Sequence, residues 1–168
     1  MKSGGVWLIA LLFGACGGHE RSPGKHLTVG QQWSVGGDCA AARHGDGMTP
    51  PAELFTVVSA ADCYYCRDHL AAFDVHGEVA DELRHRVGLY APRGRAVEAL
   101  AALMRQTQRP VCMDTSGALL QEAVSGGTPV TVLVVKGTIT GVWRGGLHQS
   151  SVRKRFWQQV ESLTTTPF

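Results

Sequence analysis

Leu54-Phe55-Thr56-Val57-Val58-Ser59-Ala60-Ala61-Asp62-Cys63-Tyr64-Tyr65-Cys66 decides the fold. Its first five residues form a short apolar, β-branched run preceded by prolines, the pattern of a buried strand. Asp62 is suited to cap a helix, which the spacing carries from the cysteines through Leu70 and Phe73. A strand that feeds a Cys-x-x-Cys at a helix start has chemical consequences. The thiolate, not the thiol, attacks disulfides. Unpaired N–H groups and partial positive charge at a helix N-terminus favour a thiolate at Cys63. Cys66 falls one helical turn later, within reach to resolve a mixed disulfide on Cys63.

Downstream, Arg86–Tyr90 reads as a strand, and Ala96–Gln106 as a helix with Val97, Leu100, Leu103 and Met104 on its apolar face. Pro110–Met113 reads as a short edge strand and Ala118–Val124 as a short helix. Val130–Val135 is the strongest strand; Lys136-Gly137 turns it into a hairpin with Thr138–Trp143. Ser150 or Ser151 opens a last helix with Val152, Phe156 and Val160 at four-residue spacing. The order β-α-β-α-β-α-β-β-α calls for an α/β fold, a central mixed sheet with helices on both faces.

The chain resembles the thioredoxin superfamily in this strand–CYYC–helix unit and in Thr128-Pro129, which immediately precedes the VTVLVV strand. The resemblance implies a cis Pro129 beside the cysteines, with Thr128 pairing backbone to backbone with a substrate chain. The stretch Arg109–Gly146 is similar to the TlpA-like, or redoxin, branch. It has Pro110, hydrophobic residues and Asp114-x-x-Gly117 before a short helix, then Gly127-Thr128-Pro129 before the strand. The branch's strand–helix insertion matches Arg86 to Gln106, and the likeness covers roughly residues 52–163. It implies a thioredoxin-like thiol–disulfide oxidoreductase without a cofactor, more a reductant than an oxidant, acting on protein thiols and disulfides and recharged by an upstream redox partner. Cys63 would attack, Cys66 resolve, and Tyr64, Tyr65, Thr128 and Pro129 contact substrate.

Three departures stand out. The family's Trp before the first cysteine is Asp62, whose charge opposes thiolate formation. The buried acid of thioredoxin is replaced by Val57. The branch's acid after the second cysteine is replaced by His69, which reads either as a proton-transfer base for Cys66 or, more simply, as a partly exposed helix histidine. A copper-binding chaperone on the same fold is the alternative, with His69, His76 and His85 joining the cysteine pair. The family's cis proline argues against it, since it shields the pair from metal. Ala60 stands where peroxidases of the redoxin branch carry Thr, and the short lead leaves no dimerisation domain for an isomerase.

Met1-Lys2, the apolar run Val6–Phe13 and the small residues after it read as a secretory signal over residues 1–15. Leu12-Phe13-Gly14-Ala15-Cys16 is similar to a lipobox, which would lipidate Cys16 and tether the protein to a membrane of the periplasm or cell envelope. Ordinary cleavage and an uncleaved anchor are the other outcomes, and all three put the rest of the chain where disulfides persist. Residues 16–51, rich in Gly, read as a flexible spacer with a weak strand signal at Gln32–Val35, ahead of a domain over 52–168. Cys39 and Cys112 are candidates for a structural disulfide, although a buried apolar thiol is the simpler account of Cys112. A net charge of +2 on 168 residues, with 18% charged residues, gives no electrostatic footprint for nucleic acid.

Overall fold

The structure is a computed structural model, and it describes residues 27–34, 39, 52–60, 63–73, 83–91, 96–107, 109–114, 118–125 and 127–165. The proposed signal and lipidation site at Cys16 lie outside these residues, as does His76.

Five strands form one sheet: β1 (Ala52–Ser59), β2 (Arg84–Tyr90), β3 (Val111–Cys112), β4 (Val130–Val135) and β5 (Thr138–Arg144). Among the described residues, four helices surround it: α1 (Cys63–Ala71), α2 (Ala96–Gln106), α3 (Ala118–Val124) and α4 (Ser150–Thr165). The strand order is β3-β2-β1-β4-β5. β1 lies parallel to β2 and β2 to β3, while β4 runs antiparallel to both β1 and β5. β1 is therefore central, and its side chains are buried on both faces, which explains its unbroken apolar run. The β4–β5 turn places Lys136 and Gly137 at φ 50° and 80°, as a two-residue hairpin requires.

Alternation along the strands divides the core. Phe55 and Val57 of β1 join Val130, Val132 and Val134 of β4 beneath Leu120 and Ala123 of α3. On the opposite face, Leu54 and Leu133 pack on Phe73 and on Phe156, Trp157 and Val160 of α4. Val58, Val87 and Leu89 pack on that face against Cys66 and Leu70 of α1 and Leu103 of α2. Gly88 permits the approach of α3, because a Cβ there would stand 2.6 Å from the Phe55 ring and 2.9 Å from Leu120.

The expected spacer is not uniformly loose. Leu27, Trp33 and Cys39 belong to the core under α3. Gly30 N–H donates to the Ile139 carbonyl, Ile139 N–H to that of Gln31, and Trp33 N–H to that of Gly137, so this segment covers the outer edge of β5. In place of the weak strand at Gln32–Val35, the described residues there show a single bridge from Gln32 to Thr138. The packed chain thus begins well before residue 52. Apolar side chains drive this docking: Trp33 meets Phe55 edge-on with ring centroids 4.9 Å apart.

Cys112 is not the buried thiol favoured from sequence. It forms a disulfide with Cys39, the Cα atoms 4.8 Å apart. Beside it, Arg86 reaches both carboxylate oxygens of Glu53 at 3.0 and 2.7 Å and donates to the Cys39 carbonyl at 2.7 Å. Met104 departs from expectation too, being 58% exposed. The stripe of α2 that meets the core runs through Ala99, Leu100 and Leu103.

Candidate active site

The site forms where β1 ends and α1 begins. Cys63 is the first residue of α1, so its backbone shares the unpaired N–H groups of the first turn, which contains no acidic side chain. The side chains of Cys63 and Tyr64 lie outside the described residues. Cys66 is a thiol, 3% exposed, with Sγ 4.0 Å from the Ser59 carbonyl. Tyr65 is 65% exposed, on the solvent side of the helix. A cavity of about 50 Å³, walled by Val58, Leu89, Ala99 and Leu103, adjoins Cys66.

Thr128–Pro129 is a cis bond, as the resemblance implies. Its place follows from the sheet register. Val57 pairs with Val130, so the next step of the antiparallel ladder sets Pro129 beside Val58, at the end of β1 from which α1 departs. Gly145 N–H donates to the Pro129 carbonyl at 2.9 Å, fixing the turn against the end of β5.

His69 is not the partly exposed helix histidine that was the simpler expectation; it is 1% exposed. The Leu147 amide donates to its Nδ1 at 3.2 Å, and its Nε2 lies 3.0 Å from Thr131 Oγ1. With Nδ1 accepting, the neutral ring carries its proton on Nε2 and donates to Thr131. Both nitrogens are thereby occupied by partners other than Cys66. The chain of hydrogen bonds continues from Thr131 to Thr56 Oγ1 at 2.9 Å and from Thr56 to His85 Nε2 at 2.8 Å. Passing the protons along, Thr131 donates to Thr56 and Thr56 to His85. His85 is left with an Nδ1 proton that meets no partner. This polar band crosses α1, β4, β1 and β2 between the two apolar clusters of its face.

The sequence reading missed the band beyond His69. Its signal was two threonines inside otherwise apolar strand runs, both on the face that α1 covers. Of the histidines weighed for copper, His69 has both nitrogens engaged and His85 directs Nε2 to Thr56. Among the described residues, no group of three His, Cys, Asp or Glu is gathered as for a metal ion. Nor is any helix among them long and apolar enough to cross a membrane.

Burial, and secondarily His148, lowers the His69 pKa from 6.5 to about 4. Burial lowers that of His85 as well, assisted by Arg109 and then His69. At His69 the unfolded chain therefore takes up a proton near pH 6.5 that the folded chain refuses until about pH 4. Stability is whole above that window and falls as pH drops through it. His69 alone is expected to remove about 3 kcal/mol between pH 7 and pH 4. Urea unfolding at stepped pH measures this, and a flat profile would contradict the buried neutral ring.

No family model matches the chain. No curated protein matches it either. Solved structures do. A Chlorobium tepidum protein provisionally named thiol:disulfide interchange protein DsbE aligns with a TM-score of 0.58 at 15% identity, over 82% of this chain and 99% of that one. A thiol-disulfide isomerase from Corynebacterium glutamicum gives 0.52 at 18% identity, over 88% and 99%. Mycobacterium tuberculosis AhpC gives 0.54 at 16%, over 83% and 94%. At such identities the likeness concerns the fold, and the fold is thioredoxin-like: a mixed five-stranded sheet flanked by helices.

Proposed function

We propose that the protein is an exported thiol–disulfide oxidoreductase that exchanges disulfides with protein substrates, working as a reductant. One observation carries the reading: a Cys-x-x-Cys opens the helix that leaves the central strand, at the sheet end where a cis Thr128–Pro129 bond leads into β4. In the reductive direction the Cys63 thiolate attacks a substrate disulfide. The substrate S–S bond breaks, one substrate sulfur leaves as a thiolate and takes up a proton, and a mixed disulfide joins Cys63 to the other. The Cys66 thiolate, having given up its own proton, then attacks Cys63 Sγ. This releases the second substrate thiol and leaves a Cys63–Cys66 disulfide. Two electrons pass to the substrate, and an upstream dithiol partner must restore them.

Tyr64, Tyr65, Thr128 and Pro129 would form the docking surface, with Tyr65 offering exposed aromatic area to a polypeptide. Export has two supports: the apolar leader ending at Cys16, whose lipidation would tether the protein to the cell envelope, and the Cys39–Cys112 disulfide, a bond that persists in oxidising compartments.

The test is the reduction potential of the Cys63–Cys66 pair in buffers of defined poise, read by mass spectrometry of trapped thiols so that Cys39 and Cys112 are counted apart. A value near or below about −250 mV is expected of a reductant. A value near about −120 mV would make the protein an oxidant that introduces disulfides. A pair that never forms a disulfide would overturn the reading.

A further inference from the structure

We propose that His69 is a positioning residue for this exchange, its imidazole clamping the cysteine-bearing helix α1 to both chain segments that hold the Thr128–Pro129 turn. The inference rests on the dithiol reading above.

The geometry closes a ring of contacts. From the third residue after Cys66, Nε2 donates to Thr131, two residues beyond Pro129 on β4. Nδ1 accepts from the amide of Leu147, two residues beyond Gly145. Gly145 in turn donates to the Pro129 carbonyl. Helix, turn and the end of β5 are thus tied through one planar side chain. Neutral imidazole suits the place because it presents one acceptor and one donor in fixed directions. A protonated ring would set two N–H groups facing each other across the Leu147 contact. The far end of the band supports the clamp: Thr56 and His85 orient the Thr131 hydroxyl so that it accepts from His69.

Exchange with a polypeptide needs the attacking sulfur and the substrate backbone site beside Pro129 in register, and a displacement of about 1 Å can cost about a hundredfold. Exchange with a small soluble disulfide needs only the sulfur. The two probes therefore separate positioning from cysteine reactivity.

The experiment compares full-length wild type with His69→Phe, Thr131→Val and His69→Gln, each checked for folding by circular dichroism. One probe is a peptide with an internal disulfide, turned over with dithiothreitol as donor; the other is dithiobisnitrobenzoate. In His69→Phe and Thr131→Val the kcat/KM for the peptide should fall roughly tenfold or more, while the rate with dithiobisnitrobenzoate stays within about twofold. His69→Gln, which keeps a donor and an acceptor, should lie closer to wild type. An unchanged peptide kcat/KM in folded variants would overturn the proposal, and so would equal losses with both probes. Wild type inert toward both would instead remove the dithiol reading. Hydrogen exchange at the Leu147 amide then decides the clamp separately: protection lost in His69→Phe supports it, and protection kept overturns it.

Discussion

Cys63→Ser is expected to lose disulfide exchange by roughly a thousandfold or more, whereas Cys66→Ser should still make the first attack and then accumulate a mixed disulfide. The asymmetry comes from where the two residues stand. Cys63 occupies the first position of α1, where the helix terminus favours a negative sulfur. Serine at the same place stays a neutral hydroxyl and cannot form the S–S bond on which the reaction depends. Cys66 is almost wholly buried, beneath the helix and against the Ser59 carbonyl, so a protein disulfide has no direct path to it. Its chemistry must come through a sulfur already attached at Cys63. Turnover of a disulfide peptide measures the first variant, and mass spectrometry under non-reducing conditions detects the adduct on the second. An adduct on Cys63→Ser with none on Cys66→Ser would reverse the assigned roles.

The regular elements were legible because their side-chain periods are local. β4, α2 and α3 have the expected limits, and the element order is the one read from the alternation of runs. The CYYC and Thr-Pro motifs were also legible, since each couples a residue pattern to a place at the edge of an element. What escaped depends on partners remote in sequence. Threonine is a good strand former, so Thr56 and Thr131 were absorbed into apolar runs; nothing local tells a hydroxyl that faces water from one that meets a histidine. His69 looked like a helix-surface residue because α1 has little amphipathic contrast, its buried face carrying Cys66, His69 and Leu70 together. Met104 was set on the wrong face beside Leu100 and Leu103, which do pack on the core, whereas Met104 is exposed. The lead misled most. Glycine-rich composition signals flexibility, yet two apolar residues and one cysteine suffice to dock parts of it when they meet a matching surface.

That docked segment is why removing the Cys39–Cys112 bond is expected to be the costliest change to stability. The bridge joins residues 73 apart, and in the chain-entropy account a loop of that size contributes about 4 kcal/mol by restricting the unfolded chain. The folded side adds a reason of its own. Residues 30–33 lie along the edge of β5, at one margin of the sheet, and Cys112 belongs to β3 at the other. The bond therefore anchors Cys39 at the opposite margin of the sheet from residues 30–33, within the same core cluster as Leu27 and Trp33. Among the described residues, the Arg86 bond to the Cys39 carbonyl and the packing of residue 39 in the core under α3 would remain to hold that end. In Cys39→Ala/Cys112→Ala, urea unfolding should show a loss of about 4 kcal/mol. A loss below about 1 kcal/mol would mean that the apolar contacts of Leu27 and Trp33 hold the lead without the bridge. Activity gives a second axis. The disulfide lies on the face opposite α1, so a folded variant should keep its exchange rate with a disulfide peptide while its unfolding midpoint falls. A parallel fall in both would place the lead within the catalytic machinery rather than behind it.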